Sequence, residues 1–231
     1  MALNWKEEEK KKAAVEASKL VKNGQIVGLG TGSTTVYMVE ELGRRVREEH
    51  LSIMGVPTSI ATGSHATKLG IPLTTLSEHP ELDIAIDGAD QVDPKLNLIK
   101  GMGGALTREK IVDSAAKMFV IIVDEGKMSQ KLGSGQVVPV EVVPFAVPVV
   151  TKRLTALGGK PKLRTDKTTS NPFVTDNGNN ILDVDFGSID NPKTLEGQVK
   201  MIPGVLENGL FVGLVTSVYV GYRDRVACIR K

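Results

Sequence analysis

The sequence predicts an α/β protein: a doubly wound, mostly parallel sheet with a smaller α+β domain inserted near the C-terminus. Three observations predict it. Up to about Lys131, short apolar runs alternate with segments of three-to-four spacing, the pattern of strands joined by crossing helices. Several of those runs end abruptly on glycine, hydroxyl residues or acids, as buried parallel strands do where they reach water. Beyond Lys131 the pattern turns to short strands, turns and two helices, and three strand-like runs close the chain. The main domain is therefore drawn at 1–130 plus 207–231 and the small one at 131–206.

Taken in order, Trp5 to Lys22 is an amphipathic helix with Ala13, Ala14, Ala17, Leu20 and Val21 on one side and the EEEKKK run solvated. Gly24 stops it, and Gln25 to Leu29 is a strand. A helix carrying Val39, Leu42 and Val46 follows, then a strand from Ser52 to Val56. Ser64 to Leu69 is a short helix, and Pro72 to Leu76 and Asp83 to Ile86 are strands. A helix from about Ala105 to Lys117 precedes Met118 to Val123, dense enough to be a central strand. In the small domain Val138 to Val143 is a strand, and Pro144 to Leu157 a helix that tolerates Pro148 in its first turn. Lys162 to Arg164 opens a further strand. Pro172 to Thr175 and Asn180 to Phe186 flank Asn177-Gly178, a hairpin signal because that pair accepts φ > 0. Asn191-Pro192 is a good cap and first position for a helix to about Met201. Leu210 to Val215, Val218 to Tyr222 and Val226 to Ile229 are the closing strands.

Composition narrows the function classes. A chain of 231 residues buries about 70–75% of its unfolded surface and needs no covalent staples. Its net charge of +2 gives no nucleic-acid footprint. The N-terminus is charged from the start and lacks the apolar core of a signal peptide, and no apolar run has the length of a membrane span. One cysteine, Cys228, excludes an internal disulfide and fits a reducing compartment, so a cytoplasmic location is expected. Edge strands of the small domain and the C-terminus could pair between copies, as a homodimer or homotetramer.

The chemistry concentrates between Ile84 and Lys110. The run Ile84-Ala85-Ile86 ends on Asp87-Gly88-Ala89-Asp90; Lys100 follows, then the turn Gly101-Met102-Gly103-Gly104, then a helix whose first turn holds Glu109. A glycine-rich turn opening a helix offers unpaired N–H groups and a positive dipole end to an anion. The same layout occurs at Gly28-Leu29-Gly30-Thr31-Gly32-Ser33-Thr34-Thr35. That loop fails two familiar tests. Its spacing is G-x-G-x-G without an acid ending the next strand, so it is not a dinucleotide fingerprint, and no lysine follows Gly32 as a P-loop demands. It remains a donor-rich loop suited to phosphate or sugar oxygens. Ligands of open α/β sheets sit outside the carboxyl ends of the strands, where the loops at 28–35, 87–90, 100–104 and 124–127 can meet.

Alternatives stay open on residues alone. The aspartates of Asp87-Gly88-Ala89-Asp90 could simply cap a turn, Glu109 could serve only the helix dipole, and Lys100 and Lys127 could be surface lysines. Asp93 extends a D-x-x-D-x-x-D run, but without EF-hand spacing; His50, His65 and His79 are scattered, so no metal is expected. Cys228 reads as packing.

Several motifs together resemble a known family, the A-type ribose-5-phosphate isomerases. They are GLGTGST at 28–34, GVPTS at 55–59, GIPL at 70–73, DGAD at 87–90, KGMGGALTREK at 100–110, Lys127 after Asp124-Glu125-Gly126, and PGVLENGLF at 203–211. The resemblance implies substrate contacts by Thr31, Gly32, Ser33 and Thr34, by Asp87, Gly88, Ala89 and Asp90, and by Lys100, Gly101, Met102 and Gly103. It implies that Glu109 is the catalytic base and Lys127 a substrate-binding lysine, with a sugar phosphate as partner and no cofactor. Two departures stand out. Met102 replaces a more usual glycine, which puts the turn's backbone conformation in question, and Gln91 stands where Glu usually follows DGAD. Aldose–ketose exchange through an enediolate would use Glu109 to move a proton between carbons 2 and 1, Asp87 to open the ring, Asp90 to orient a hydroxyl or water, and Lys100 to offset the enediolate charge. The rivals are a non-catalytic sugar-phosphate sensor, and an amino-sugar-phosphate deaminase or CoA transferase on a related fold. The sensor usually carries a helix-turn-helix module, for which the stretch before Gln25 is too short, and the deaminase calls for a histidine beside these motifs.

Overall fold

The computed structural model describes residues 5–166 and 168–230. In chain order the elements are α1 (Trp5–Ser18), β1 (Gln25–Leu29), α2 (Thr35–Glu48), β2 (Ile53–Pro57), α3 (Ile60–Lys68), β3 (Leu82–Gly88), β4 (Gln91–Val92), β5 (Leu98–Ile99), α4 (Leu106–Ser114) and β6 (Ala116–Asp124). They continue with β7 (Val138–Val142), α5 (Val147–Ala156), β8 (Lys160–Leu163), β9 (Asn180–Asp185), α6 (Pro192–Lys200), β10 (Val205–Asn208), β11 (Leu210–Phe211), β12 (Ser217–Gly221) and β13 (Val226–Arg230). Contacts divide the chain into two compact units. The first is Met1–Ala89, Arg108–Met128 and Leu214–Lys231; the second is Asp90–Thr107 and Ser129–Gly213.

The first unit is built on a six-stranded sheet of order β13-β12-β6-β3-β1-β2, parallel except for β13. Strand residues alternate between its faces. Val27, Leu29, Ile84, Ile86, Val120 and Ile122 turn to one side, where Ala13, Ala14 and Ala17 of α1 and Met38 and Leu42 of α2 cover them. Val112 of α4 packs with Val56 and Leu82 in a separate buried cluster. Each fully buried branched side chain of this kind is worth about 1.5–3 kcal/mol. The EEEKKK run departs from expectation: Glu9 and Lys10 are buried, because α1 packs on both α2 and the sheet strands β6 and β12 and so turns more than its alanine stripe inward. Burial first, then Glu125 and Asp124, pushes the Glu9 carboxyl above its ordinary pKa range. Glu7 is held low by Lys10 and by Tyr37, whose own hydroxyl is pushed up to about 12.

The second unit holds an antiparallel four-stranded sheet, β10-β7-β9-β8, and a three-stranded sheet, β11-β5-β4. Val140, Val142, Val150, Leu154, Leu182, Val184 and Val199 form its core. Asn191 caps α6 as the sequence predicts, accepting from the Thr194 N–H at 3.1 Å. Two expectations fail. The Asn177-Gly178 turn forms, with Gly178 at φ 78°, but it does not join a hairpin: β9 pairs with β7 and β8, and Pro172 makes only an isolated bridge to Thr165. Likewise Pro72 to Leu76 is not a strand, because only Leu73 bridges to Gly55. The division also differs from 1–130 plus 207–231 against 131–206. Asp90–Thr107 groups with the second unit because β4, β5 and β11 pair with one another.

Candidate active site

In the first unit, β1, β3 and β6 are parallel neighbours, so the loops after Leu29, Gly88 and Asp124 leave the same sheet edge. Asp87 lies at that edge with no exposed surface. Its Oδ1 accepts the N–H of Thr31 at 3.1 Å and that of Gly88 at 2.6 Å, which ties the first glycine loop to the acid. Gly30 must be glycine here, since a Cβ would lie 2.2 Å from Asp87 Oδ1. Thr31 Oγ1 sits in a knot of hydroxyls with Thr58 at 2.7 Å, Ser59 at 2.8 Å and Thr62 at 2.9 Å. Gly32 takes φ 142°; Ser33 is exposed and Thr34, the cap of α2, is buried. A cavity of about 410 Å³ beside the loop is lined by Thr31, Ser33, Thr62 and His65.

Glu109 is buried, with 2% of its surface exposed. Val112, three residues on and hence on the same helix face, packs against Gly28, where a Cβ would stand 2.9 Å from its Cγ1. Helix α4 ends at Ser114, just before β6 begins at Ala116, and Glu109 lies one turn nearer its start than Val112. Asp113 is also buried on α4. Lys127 is half-buried in a short 3-10 turn after β6.

The second unit holds the other candidates. Asp90 donates its N–H to Ile99 at 2.8 Å, and its Oδ2 accepts the Met102 N–H at 3.0 Å. Lys100 is 2% exposed, its Nζ 5.4 Å from the centre of the Phe211 ring, where a cation is attracted by the ring face. The Met102 question resolves simply. Positive φ falls at Gly101 (98°) and Gly104 (85°), so Met102 takes an ordinary conformation with its side chain exposed. Gly104 is further required because a Cβ would stand 2.5 Å from the Phe173 ring. Gln91 is structural, bonding Ser134 and Gly133 through its side-chain amide. Asp93 accepts from Lys95, Asn97 and the Asn97 side chain in the β4–β5 turn, so the third aspartate of the D-x-x-D-x-x-D run is committed to that turn. Among the described residues no group of three or more His, Cys, Asp or Glu side chains is placed to share one metal ion.

Two groups escaped the sequence reading. Arg164 donates from Nη1 to the carbonyls of Gly101 and Met102, and Glu141, fully buried, accepts from Thr107. An arginine just after a strand and a glutamate inside one carry no motif, and their partners lie 62 and 34 residues away.

The family model for ribose 5-phosphate isomerase A (phosphoriboisomerase A) matches residues 54–225. The chain belongs to the ribose 5-phosphate isomerase A family. The protein of Methanosarcina acetivorans bearing that name is 53% identical over 216 residues, covering 94% of this chain and 91% of its own. Among solved structures, the ribose 5-phosphate isomerase A of Methanocaldococcus jannaschii superposes with a TM-score of 0.94 at 47% identity, covering 97% of this chain and 99% of that one. A D-ribose-5-phosphate isomerase in complex with phospho-erythronic acid superposes at 0.95, with 42% identity and the same coverage.

Proposed function

We propose that the chain interconverts D-ribose 5-phosphate and D-ribulose 5-phosphate through an enediolate, with Glu109 as the acid/base. Family membership carries the reaction, and the buried Glu109 carboxylate on the first turn of α4 supports the role. Asp87, already holding the Thr31 loop, assists ring opening, and Asp90 orients a hydroxyl or water. Glu109 then takes the proton from carbon 2 and the electrons pass onto the carbon-1 oxygen as the enediolate forms; the carbon-2 hydroxyl proton passes to that oxygen, and the same carboxyl returns its proton to carbon 1 as carbon 2 becomes the carbonyl. A positioned base of this kind is worth about 10²–10⁴ in rate. Lys100 offsets the developing negative charge. The loop from Thr31 to Thr34, the backbone from Gly101 to Gly103 and Lys127 hold the remaining oxygens, the phosphate among them. Phospho-erythronic acid, found on a relative, carries a planar carboxylate where the enediolate would form, so it serves as a competitive probe.

In Glu109→Gln we expect phospho-erythronic acid to bind as before while turnover and the exchange of the carbon-2 proton with solvent both fall by at least about 10²-fold. Exchange at the wild-type rate in that variant would remove Glu109 from this role. Turnover of ribose 5-phosphate itself separates the enzyme from a sensor, and a chelator is expected to leave the rate unchanged. No helix of the described residues is long and apolar enough to cross a membrane. We read the protein as a cytoplasmic homodimer or homotetramer.

A further inference from the structure

The turn from Gly101 to Gly103 is shaped by a side chain far along the sequence. The guanidinium of Arg164 is mostly buried and is gripped by Asp183, with Nε on one carboxylate oxygen at 2.9 Å and Nη2 on the other. That bidentate pair fixes its plane. Phe173 lies beneath it, with the ring centre 5.8 Å from Cζ. Nη1 points at the turn and donates to two successive carbonyls, Gly101 at 3.2 Å and Met102 at 3.0 Å. In a trans peptide the C=O and the following N–H point opposite ways, and no cis peptide occurs among the described residues. Drawing both carbonyls to Arg164 therefore turns the N–H groups of Met102 and Gly103 to the far side. There the Met102 N–H meets Asp90 Oδ2 at 3.0 Å, and Gly103 is exposed.

We propose that Arg164 is a positioning residue for the isomerisation: anchored by Asp183, it sets the peptide planes from Gly101 to Gly103 and, through the Met102 N–H, the carboxylate of Asp90. It touches no substrate. The inference rests on the reading that Asp90 and this turn face the sugar phosphate. Without the guanidinium the two carbonyls lose their common donor, the peptides can rotate, and Asp90 loses a fixed N–H. A misplacement of about 1 Å in a positioned group costs about 10²-fold in rate.

The test compares Arg164→Lys, Arg164→Ala and Asp183→Asn with wild type, measuring kcat, KM and thermal midpoint, with methylguanidinium added to the alanine variant. Lysine keeps the charge but cannot span both carbonyls and Asp183. We expect kcat in Arg164→Lys to fall about 10–100-fold with KM much less affected and the midpoint close to wild type. Asp183→Asn, which leaves the guanidinium present but loosened, falls in between, and methylguanidinium restores part of the alanine variant's kcat. If the lysine variant matches wild type, or if no variant is rescued and every loss tracks the loss of folded protein, the proposal is overturned. Glu109→Gln in the same assay keeps the two readings apart. An inactive Glu109→Gln beside unimpaired Arg164 variants rejects Arg164 alone, whereas an active Glu109→Gln rejects the site and this inference with it.

Discussion

Gly104 shows how one missing side chain sets a site. It adopts φ 85°, a region L side chains avoid, and Phe173 fills the space where a Cβ would stand. Gly104→Ala should cost about 1–3 kcal/mol in urea unfolding and lower kcat. Adding Phe173→Ala removes the clash but not the φ penalty, so recovery is partial; full recovery would mean that the backbone conformation is not strained. Glu9 makes a separate prediction about pH. Burial and neighbouring acids raise its folded-state pKa, so the folded chain holds the proton more tightly than the unfolded one. Stability from this group is complete below the unfolded pKa and is lost as pH rises through the raised folded value. Glu9→Gln should therefore raise the thermal midpoint at pH 7 and do little at pH 4. An equal gain at both pH values would contradict the linkage.

Helix α4 is held at its start by β7. Glu141 accepts from Thr107 Oγ1 at 2.5 Å, Thr175 Oγ1 at 2.8 Å, Asn179 Nδ2 at 3.0 Å and Asn177 Nδ2 at 3.1 Å, all neutral donors around a carboxylate with no exposed surface. Thr107 stands two residues before Glu109 on the same helix, so this knot also fixes where α4 begins. Glu141→Gln would turn an amide NH₂ toward hydroxyl and amide donors. Its expected cost is about 1–3 kcal/mol, read as a lower urea midpoint with an unchanged slope. A variant as stable as wild type would show that the knot contributes little.

Across the whole molecule, the chain passes between its two units at 89/90, 107/108, 128/129 and 213/214. Two of these passages cut motifs, between Ala89 and Asp90 and between Thr107 and Arg108, and a third falls one residue after Lys127. The second unit also leaves Phe145, Met201 and Val149 strongly exposed. Apolar side chains of this size in water favour association, which supports the homodimer or homotetramer reading. Phe145→Glu is expected to shift sedimentation toward smaller species; an unchanged distribution would place the contact elsewhere.

Period, glycine and cap decided much by themselves. The alternation of strands and helices, the Asn191 cap and the glycine-rich motifs at Thr31 and Asp87 are each written in residues within a few positions of one another, so a linear reading reaches them, though not the bond that ties Thr31 to Asp87. The tertiary structure alone decided the rest: the burial of Glu9 and Lys10, the single bridge in place of a strand at Pro172 to Thr175, the membership of Asp90 and Lys100 in the second unit, and the grip of Arg164 and Glu141 on the turn and on α4. Those features join residues tens of positions apart. Hydrogen-bond partners at such separations are chosen by the packing of sheets and helices, and no local pattern of side chains encodes them.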